Sequence, residues 1–413
     1  MPSRLPPTSA EFRRRLLALW SRWWPVILLL GVQLLGGMAL SPQRAFIPVY
    51  LGEQLGYTAV TVSLCIAAGR VMGVVSSAFG GMLSDALGHR RTLVLGLVGF
   101  AVSSLTFLVP LPWLAVLLWA VSDLAAGFYT LGGQGYLIDV TAPSRLGMFS
   151  AFYYWGLVIG GVLSNPIAGA VLDSAGFGVF GASLLALSLA TAVGTALFLP
   201  CLRDEGSREA SSWGSLLAGY SAIARRPVVV VLALLRFLPT CYWGVATVLI
   251  PLLINRLTGT KMAVALYAVL SQVAASLAQL AAGRAADRWG PKGPTLTALG
   301  VLVLSATGLA GSVAHLWSFY TFGVLAACAA WSLSSLSPRL VVEATAAEER
   351  GRVLGIVHTF WNVGMLVGSL VGGALVDLAV GLPFFATAAL NLATIVLAFS
   401  FFRSIEKGRL GVE

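Results

Sequence analysis

Gly81-Met-Leu-Ser-Asp85-Ala-Leu-Gly88-His-Arg90-Arg91 returns 202 positions later as Gly283-Arg-Ala-Ala-Asp287-Arg-Trp-Gly290-Pro-Lys292. Each copy sets a small residue, an acid, a turn glycine and a cationic end between two long apolar runs. Further matches keep the same order. Phe46-Ile-Pro48 through Gly56 matches Leu249-Ile-Pro251 through Gly259, Asp139 falls opposite Glu343, and Gly169-Ala-Val-Leu-Asp173 matches Gly373-Ala-Leu-Val-Asp377, at offsets of 202 to 204. Such a chain reads as a duplicated bundle, its halves related by an axis along the membrane normal.

The solvent of that bundle follows from composition. Of 413 residues, 10% are charged and 58% apolar, with a mean hydropathy of +0.89, whereas a soluble domain carries roughly 25% charged residues. A bilayer core needs about 20 apolar residues per helix. Breaks at Gly, Pro and charge then give spans at 24–50, 57–84, 92–109, 113–138, 147–172 and 177–199, and at 228–254, 262–286, 295–312, 316–342, 353–376 and 382–402. The expected fold is an all-α membrane protein of twelve transmembrane helices in two six-helix bundles, residues 1–200 and 227–413. The polar interval 201–226, with its Ser run and Trp213, reads as a linker with a short helix lying on the membrane. The first apolar run outlasts the 7–15 residues of a signal-peptide core, so it reads as a retained span.

Charge sets direction. Of the 26 basic residues, 21 fall on the side of the termini and of the two repeated loops, while Arg256 and Lys261 lie opposite. The positive-inside rule therefore puts both termini in the cytoplasm. The net charge of +10 is a topology signal, not a nucleic-acid surface. Cys65, Cys201, Cys241 and Cys328 lack metal or redox spacing, and His89, His315 and His358 are dispersed. No metal, cofactor or enzymatic chemistry is expected. Without a nucleotide-binding loop, energy should come from an ion gradient.

The Gly-x-x-x-Asp-x-x-Gly-x-Arg-Arg loop, with its weaker copy, resembles the signature of the major facilitator superfamily. The resemblance runs through the whole chain and implies a monomeric secondary transporter of small molecules. Within it, Pro48 and the glycine-rich fifth span look most like the twelve-span drug–proton antiporters. Two positions depart from that branch: Asn165-Pro166 stands where Gly-Pro is expected, and Leu131 stands where an arginine precedes Gln134-Gly135. The usual proton-relay arginine is therefore missing at that place.

In the repeated loops, Gly81 and Gly283 allow close helix approach, Asp85 and Asp287 can pair with Arg90, Arg91 or a neighbouring helix, and Gly88 and Gly290 permit a tight turn. Asp139 with Arg145, and Glu343 with Arg350 and Arg352, read as further cytoplasmic latch pairs, each worth about 0–1 kcal/mol. Gly156, Gly160, Gly364, Gly368 and Gly372 form stripes that serve either sliding between bundles or static packing within one.

Arg44, Arg70, Asp123 and Arg236 lie well inside spans, where a charge facing lipid is costly. At about 1.5 Å per residue, Arg70 is about 22 Å and Asp123 about 24 Å above the cytoplasmic ends of their spans, and Arg44 about 30 Å along the first. All three belong to one level, where one Asp can meet two Arg. In the resembling fold the first and fourth helices line the central cavity, which favours Arg44 and Asp123 as site residues. Asp123 reads as a protonatable coupling residue, as the holder of arginines that bind an anion, or as part of a structural ion pair. Arg236, about 13 Å into span seven, reads as a cytoplasmic-half gate or a snorkelling side chain rather than a ligand. Tyr154, His358 and Asn362, with Tyr153, Trp155 and Trp361, form an aromatic, partly polar set suited to an amphipathic substrate. The reading is proton-coupled export of small organic molecules. Uptake or exchange of an anionic metabolite and lipid translocation are the alternatives.

Overall fold

A computed structural model describes residues 9–142, 145–201, 223–346 and 349–406; side chains are described for these except at 9–22, 77–82, 85, 147 and 351. The linker expected at 201–226 lies mostly outside the described residues. Among the described residues, eleven helices are long and apolar enough to cross a membrane. They are α1 (Ser9–Val49), α2 (Ala59–Leu87), α3 (His89–Ser104), α4 (Pro112–Val140), Leu146–Phe198, α7 (Pro227–Thr258), α8 (Lys261–Trp289), α9 (Lys292–Gly311), α10 (Leu316–Ala344), α11 (Arg350–Val376) and α12 (Leu382–Glu406). No strand occurs among the described residues.

The fifth of these, 53 residues long, would measure roughly 80 Å as one rod, far beyond a bilayer. It is broken at Gly176, whose backbone (φ 74°, ψ −177°) is not helical and is open only to glycine. The chain reverses there. Its two pieces, 146–175 and 177–198, are α5 and α6. Phe177 packs on Tyr50 and Phe107 at one end of the bundle, while Arg90, at the other end, donates to the carbonyl of Ala196.

The duplication is visible in backbone detail. Thr58 and Thr260 cap α2 and α8, their hydroxyls accepting from the N–H of Thr61 and Ala263. Gly88 and Gly290 take φ of 85° and 79°, and their N–H groups close α2 and α8 on Ser84 and Ala286. That positive-φ turn is what the repeated glycine provides. The glycine stripes prove to be packing within each half. A Cβ at Gly156 would approach Gln33 of α1 at 3.1 Å, and one at Gly364 would approach Thr240 of α7 at 3.0 Å. Different glycines face the other half: Gly161 meets Gln272, Gly169 meets Ala265, and Gly373 meets Ser63.

Candidate functional site

Among the described residues, the polar ties between the two halves all lie at one end. There Glu53 accepts from Lys261 Nζ at 2.6 Å and from Asn255 Nδ2 at 2.8 Å. The Asp173 carboxylate accepts from the backbone N–H groups of Lys261 and Met262 at 2.8 and 3.0 Å, capping the positive end of α8. At the repeated-loop end, every ion pair among the described residues stays on one side of the divide. These are His89–Asp139, Arg226–Glu349, Lys292–Glu406 and Arg339–Glu343.

Between the halves lies a cavity of about 440 Å³, within the size range of small-molecule sites. From the first half it is lined by Arg44, Arg70 and Trp119, and from the second by Arg236, Trp243, Trp331, His358 and Trp361. Asp123 lies just behind this wall, 6% exposed, and holds two arginines. Arg44 Nη2 donates to its Oδ1 at 2.9 Å and Arg70 Nη1 lies 3.3 Å from its Oδ2. Arg70 is deeply placed, 14% exposed, whereas Arg44 is 42% exposed. Arg236 donates to Ser334 Oγ at 2.8 Å and lies 5.9 Å over the Trp361 ring, which in turn stacks on His358. Arg236 is therefore a cavity residue as well as a membrane-embedded one, a role its distance along span seven did not reveal.

Other expected site residues lie elsewhere. Tyr154 bonds Gln134 outside the cavity lining, and Asn362 donates to the His358 carbonyl at 3.3 Å, also outside it. The aromatic lining comes from α7, α8, α10 and α11, with Trp119 of α4, rather than from Tyr153 or Trp155.

The expected latches also differ. Asp139 lies 3.5 Å from His89 Nε2, and Arg145 instead covers the Trp23 ring at 5.3 Å. His89 Nδ1 shares a hydrogen with Ser84 Oγ at 2.7 Å, so the histidine of the repeated loop ties α2 to α4. Glu343 pairs with Arg339, one turn away at 3.2 Å. Arg350 donates to the Val342 carbonyl at 3.3 Å, and Arg352 is exposed. The surroundings of Gly81 and the side chain of Asp85 lie outside what is described. Gly283 has open space around it rather than a packed helix, and Asp287 and Arg91 are exposed. Sequence reasoning missed Glu53 and Asp173 as the tie between halves, although the Asp173–Asp377 match marked one of them.

The Major Facilitator Superfamily family model matches residues 29–313 and 232–412. The chain belongs to the major facilitator superfamily. As a member it is a multi-pass protein of the cell membrane. It is similar to the tetracycline resistance protein, class H, of Pasteurella multocida, 26% identical over 186 residues, 43% of this chain and 45% of that protein. It is also similar to the quinolone resistance protein NorA of Staphylococcus aureus, 32% identical over 119 residues, 28% of this chain and 30% of that protein. The chain thus matches under half the length of either relative. The superfamily fold is seen again in a mutant of the nucleoside transporter NupG, at a TM-score of 0.73 and 16% identity over 91% of this chain and 99% of that one. A POT family transporter solved with a thioalcohol-conjugated peptide gives a TM-score of 0.72 at 14% identity, covering 92% and 96%.

Proposed function

We propose that this superfamily member is a twelve-span, monomeric secondary transporter. It carries small organic molecules through the central cavity by alternating access, coupled to protons. The two halves are residues 1–200 and 227–413, and both termini are cytoplasmic. The carrying observation is a cavity between halves that are tied together at the Glu53 end and, among the described residues, share no ion pair at the repeated-loop end, with an ion cluster at its wall. On the orientation given by charge, this arrangement is closed outside and open to the cytoplasm. Asp123 is the coupling group. A proton on its carboxylate and the two guanidiniums compete for the same oxygens, so the cluster has two arrangements, as a coupling device requires.

Two readings of direction have separate support. Similarity to a tetracycline and a quinolone resistance protein supports export. Three arginines and no carboxylate on the cavity wall among the described residues support uptake or exchange of an anion.

The test is flux in proteoliposomes holding a pH-sensitive dye, with substrates first chosen by thermal stabilisation of the purified protein. Substrate addition should move protons across the membrane. Asp123→Asn should abolish that movement while sparing downhill exchange of substrate. Proton movement that persists in Asp123→Asn would remove Asp123 from the coupling role.

A further inference from the structure

We infer that the cavity takes an amphipathic organic anion: an aromatic or similarly flat apolar body carrying a carboxylate or equivalent acidic group, gripped between Arg44 of the first half and Arg236 of the second. The inference rests on the central cavity being the transport site, and it names the class of molecule that site accepts.

Charge is the first argument. Arg44, Arg70 and Arg236 all face the cavity, and the one nearby carboxylate among the described residues, Asp123, is withdrawn behind the wall. Three cationic groups against one anion leave the site with two uncompensated positive charges. In a membrane interior that imbalance is costly, and an anionic ligand lowers it while a lipophilic cation raises it. His358, the remaining titratable group of the wall among the described residues apart from the tyrosines, only adds positive charge when protonated.

Geometry then selects which arginines act. Arg70 is committed to Asp123 and mostly covered. Arg44 has one edge on Asp123 and is 42% exposed, so the rest of its planar fork of donors is free for a second acceptor. Arg236 has a single neutral partner, Ser334, at 2.8 Å. Its charge is therefore unmatched by any carboxylate among the described residues. Asp123 acts on the ligand as a positioning residue, holding Arg44 in place.

The walls supply the rest. Trp243 and Trp331 meet edge to face at 5.5 Å, and Trp361 carries Arg236 over its ring. Flat indole surfaces bury an aromatic body at low entropic cost. Buried polar atoms without a partner, Tyr242 Oη and Asn165 Oδ1, belong to residues that line the same space and can meet polar substituents. An anion held by both arginines would also join the two halves at the substrate.

The test uses the full-length protein in nanodiscs and three probes of one shape: 2-naphthoate, 2-naphthamide and 2-naphthylmethylammonium. Binding is read by tryptophan fluorescence. The carboxylate should bind best. Arg44→Gln and Arg236→Gln should each weaken it roughly ten- to hundredfold, the range for a lost charge-assisted hydrogen bond. Arg236→Lys, which keeps the charge, should lose less, and the surface change Arg225→Gln should lose nothing. Melting curves of each variant identify any that misfold, in which case the Arg236→Lys result carries the decision. Equal or tighter binding of the ammonium probe, an unchanged affinity in Arg236→Gln, or no binding of the carboxylate would each overturn the inference. Counterflow of the bound probe in proteoliposomes separates the two readings. Carboxylate binding without flux sinks the transport reading and leaves the anion site standing. Ammonium flux without carboxylate binding does the reverse.

Discussion

On the proposed orientation, removing the ties at the Glu53 end should open the outer face of the protein. Two groups of contacts hold it. Asp173 accepts two backbone N–H bonds from the first turn of α8, and a carboxylate at an exposed helix N-terminus contributes roughly 0.3–1 kcal/mol, more when it bonds directly. Glu53 takes the Lys261 ammonium and the Asn255 amide. Lys261 is largely covered and Glu53 half-exposed, which puts that group near the upper end of the about 0–1 kcal/mol of exposed pairs. Each group is thus worth about 1 kcal/mol, or about fivefold in the ratio of closed to open. Both work through Lys261, so they need not add. With additivity, Asp173→Ala with Glu53→Gln shifts the ratio about thirtyfold. The shift exists only because the partners sit on opposite halves and separate when the outer end opens.

The assay is thiol labelling. With Cys65, Cys201, Cys241 and Cys328 replaced, Thr247→Cys places one thiol on the cavity wall, and an impermeant maleimide is added outside right-side-out vesicles. Labelling should accelerate about fivefold in each single variant and up to about thirtyfold in the double, the conversions just given. A rate within about twofold of the parent in the double variant would show that these contacts do not hold the outer face shut, since less than about 0.4 kcal/mol would be at stake.

Three more expectations follow from named contacts. Asp123→Asn leaves Arg70 covered and without its counter-charge, so the melting temperature should fall by an amount corresponding to about 3–5 kcal/mol. Adding Arg70→Gln should recover part of that, and no recovery in the double variant would show that the pair is not coupled. Gly160→Leu should prevent folding, because its Cβ would press on Met38 N at 2.8 Å within the first half. Gly373→Leu, pressing on α2 across the halves, should fold and raise outside labelling of Thr247→Cys; the reverse pattern on size-exclusion profiles and labelling would refute this assignment of faces. Gly290→Ala should cost about 1 kcal/mol or more because φ is 79° there, whereas Gly283→Ala, with open space around it, should melt within about 0.5 kcal/mol of the parent.

What the sequence reveals depends on how local the cause is. The spans were legible because burial in lipid writes itself as runs of apolar residues, and the observed helices begin and end within a few residues of the expected spans, α1 aside. The meeting of Arg44, Arg70 and Asp123 was legible because helix rise converts position into depth, and few charges compete at that depth. The end contacts were not. Asp139 and Arg145 are close in sequence, yet they finish on different neighbours, His89 and Trp23, because nearness along the chain does not fix which helix a side chain meets. Glu53 did not stand out in the sequence, and Asp173 did so only through the repeat, because their partners come from the other half, up to 208 residues away. The glycine stripes could not be assigned to a face, since spacing gives a stripe but not the helix it meets.

The duplication sharpens the picture of the site through what it does not preserve. The repeat offsets pair Arg44 with Thr247, Arg70 with Gln272 and Asp123 with Ala327, and all three partners line the same cavity from the opposite wall. The turns and caps have kept their chemistry in both halves, Thr58 with Thr260 and Gly88 with Gly290. The cavity walls have not. Rocking about a pseudo-twofold axis needs two similar hinged bodies, so symmetry in the turns serves the motion. Recognition needs the opposite. A molecule with an acidic end and an apolar end has no twofold symmetry, and a symmetric cavity would hold it in two orientations with equal affinity. Placing the Arg44–Asp123–Arg70 cluster on one wall and Arg236 with its indoles on the other removes that degeneracy. On the proposed function, the charged cluster is one side of an oriented site rather than a structural ion cluster that borders a cavity.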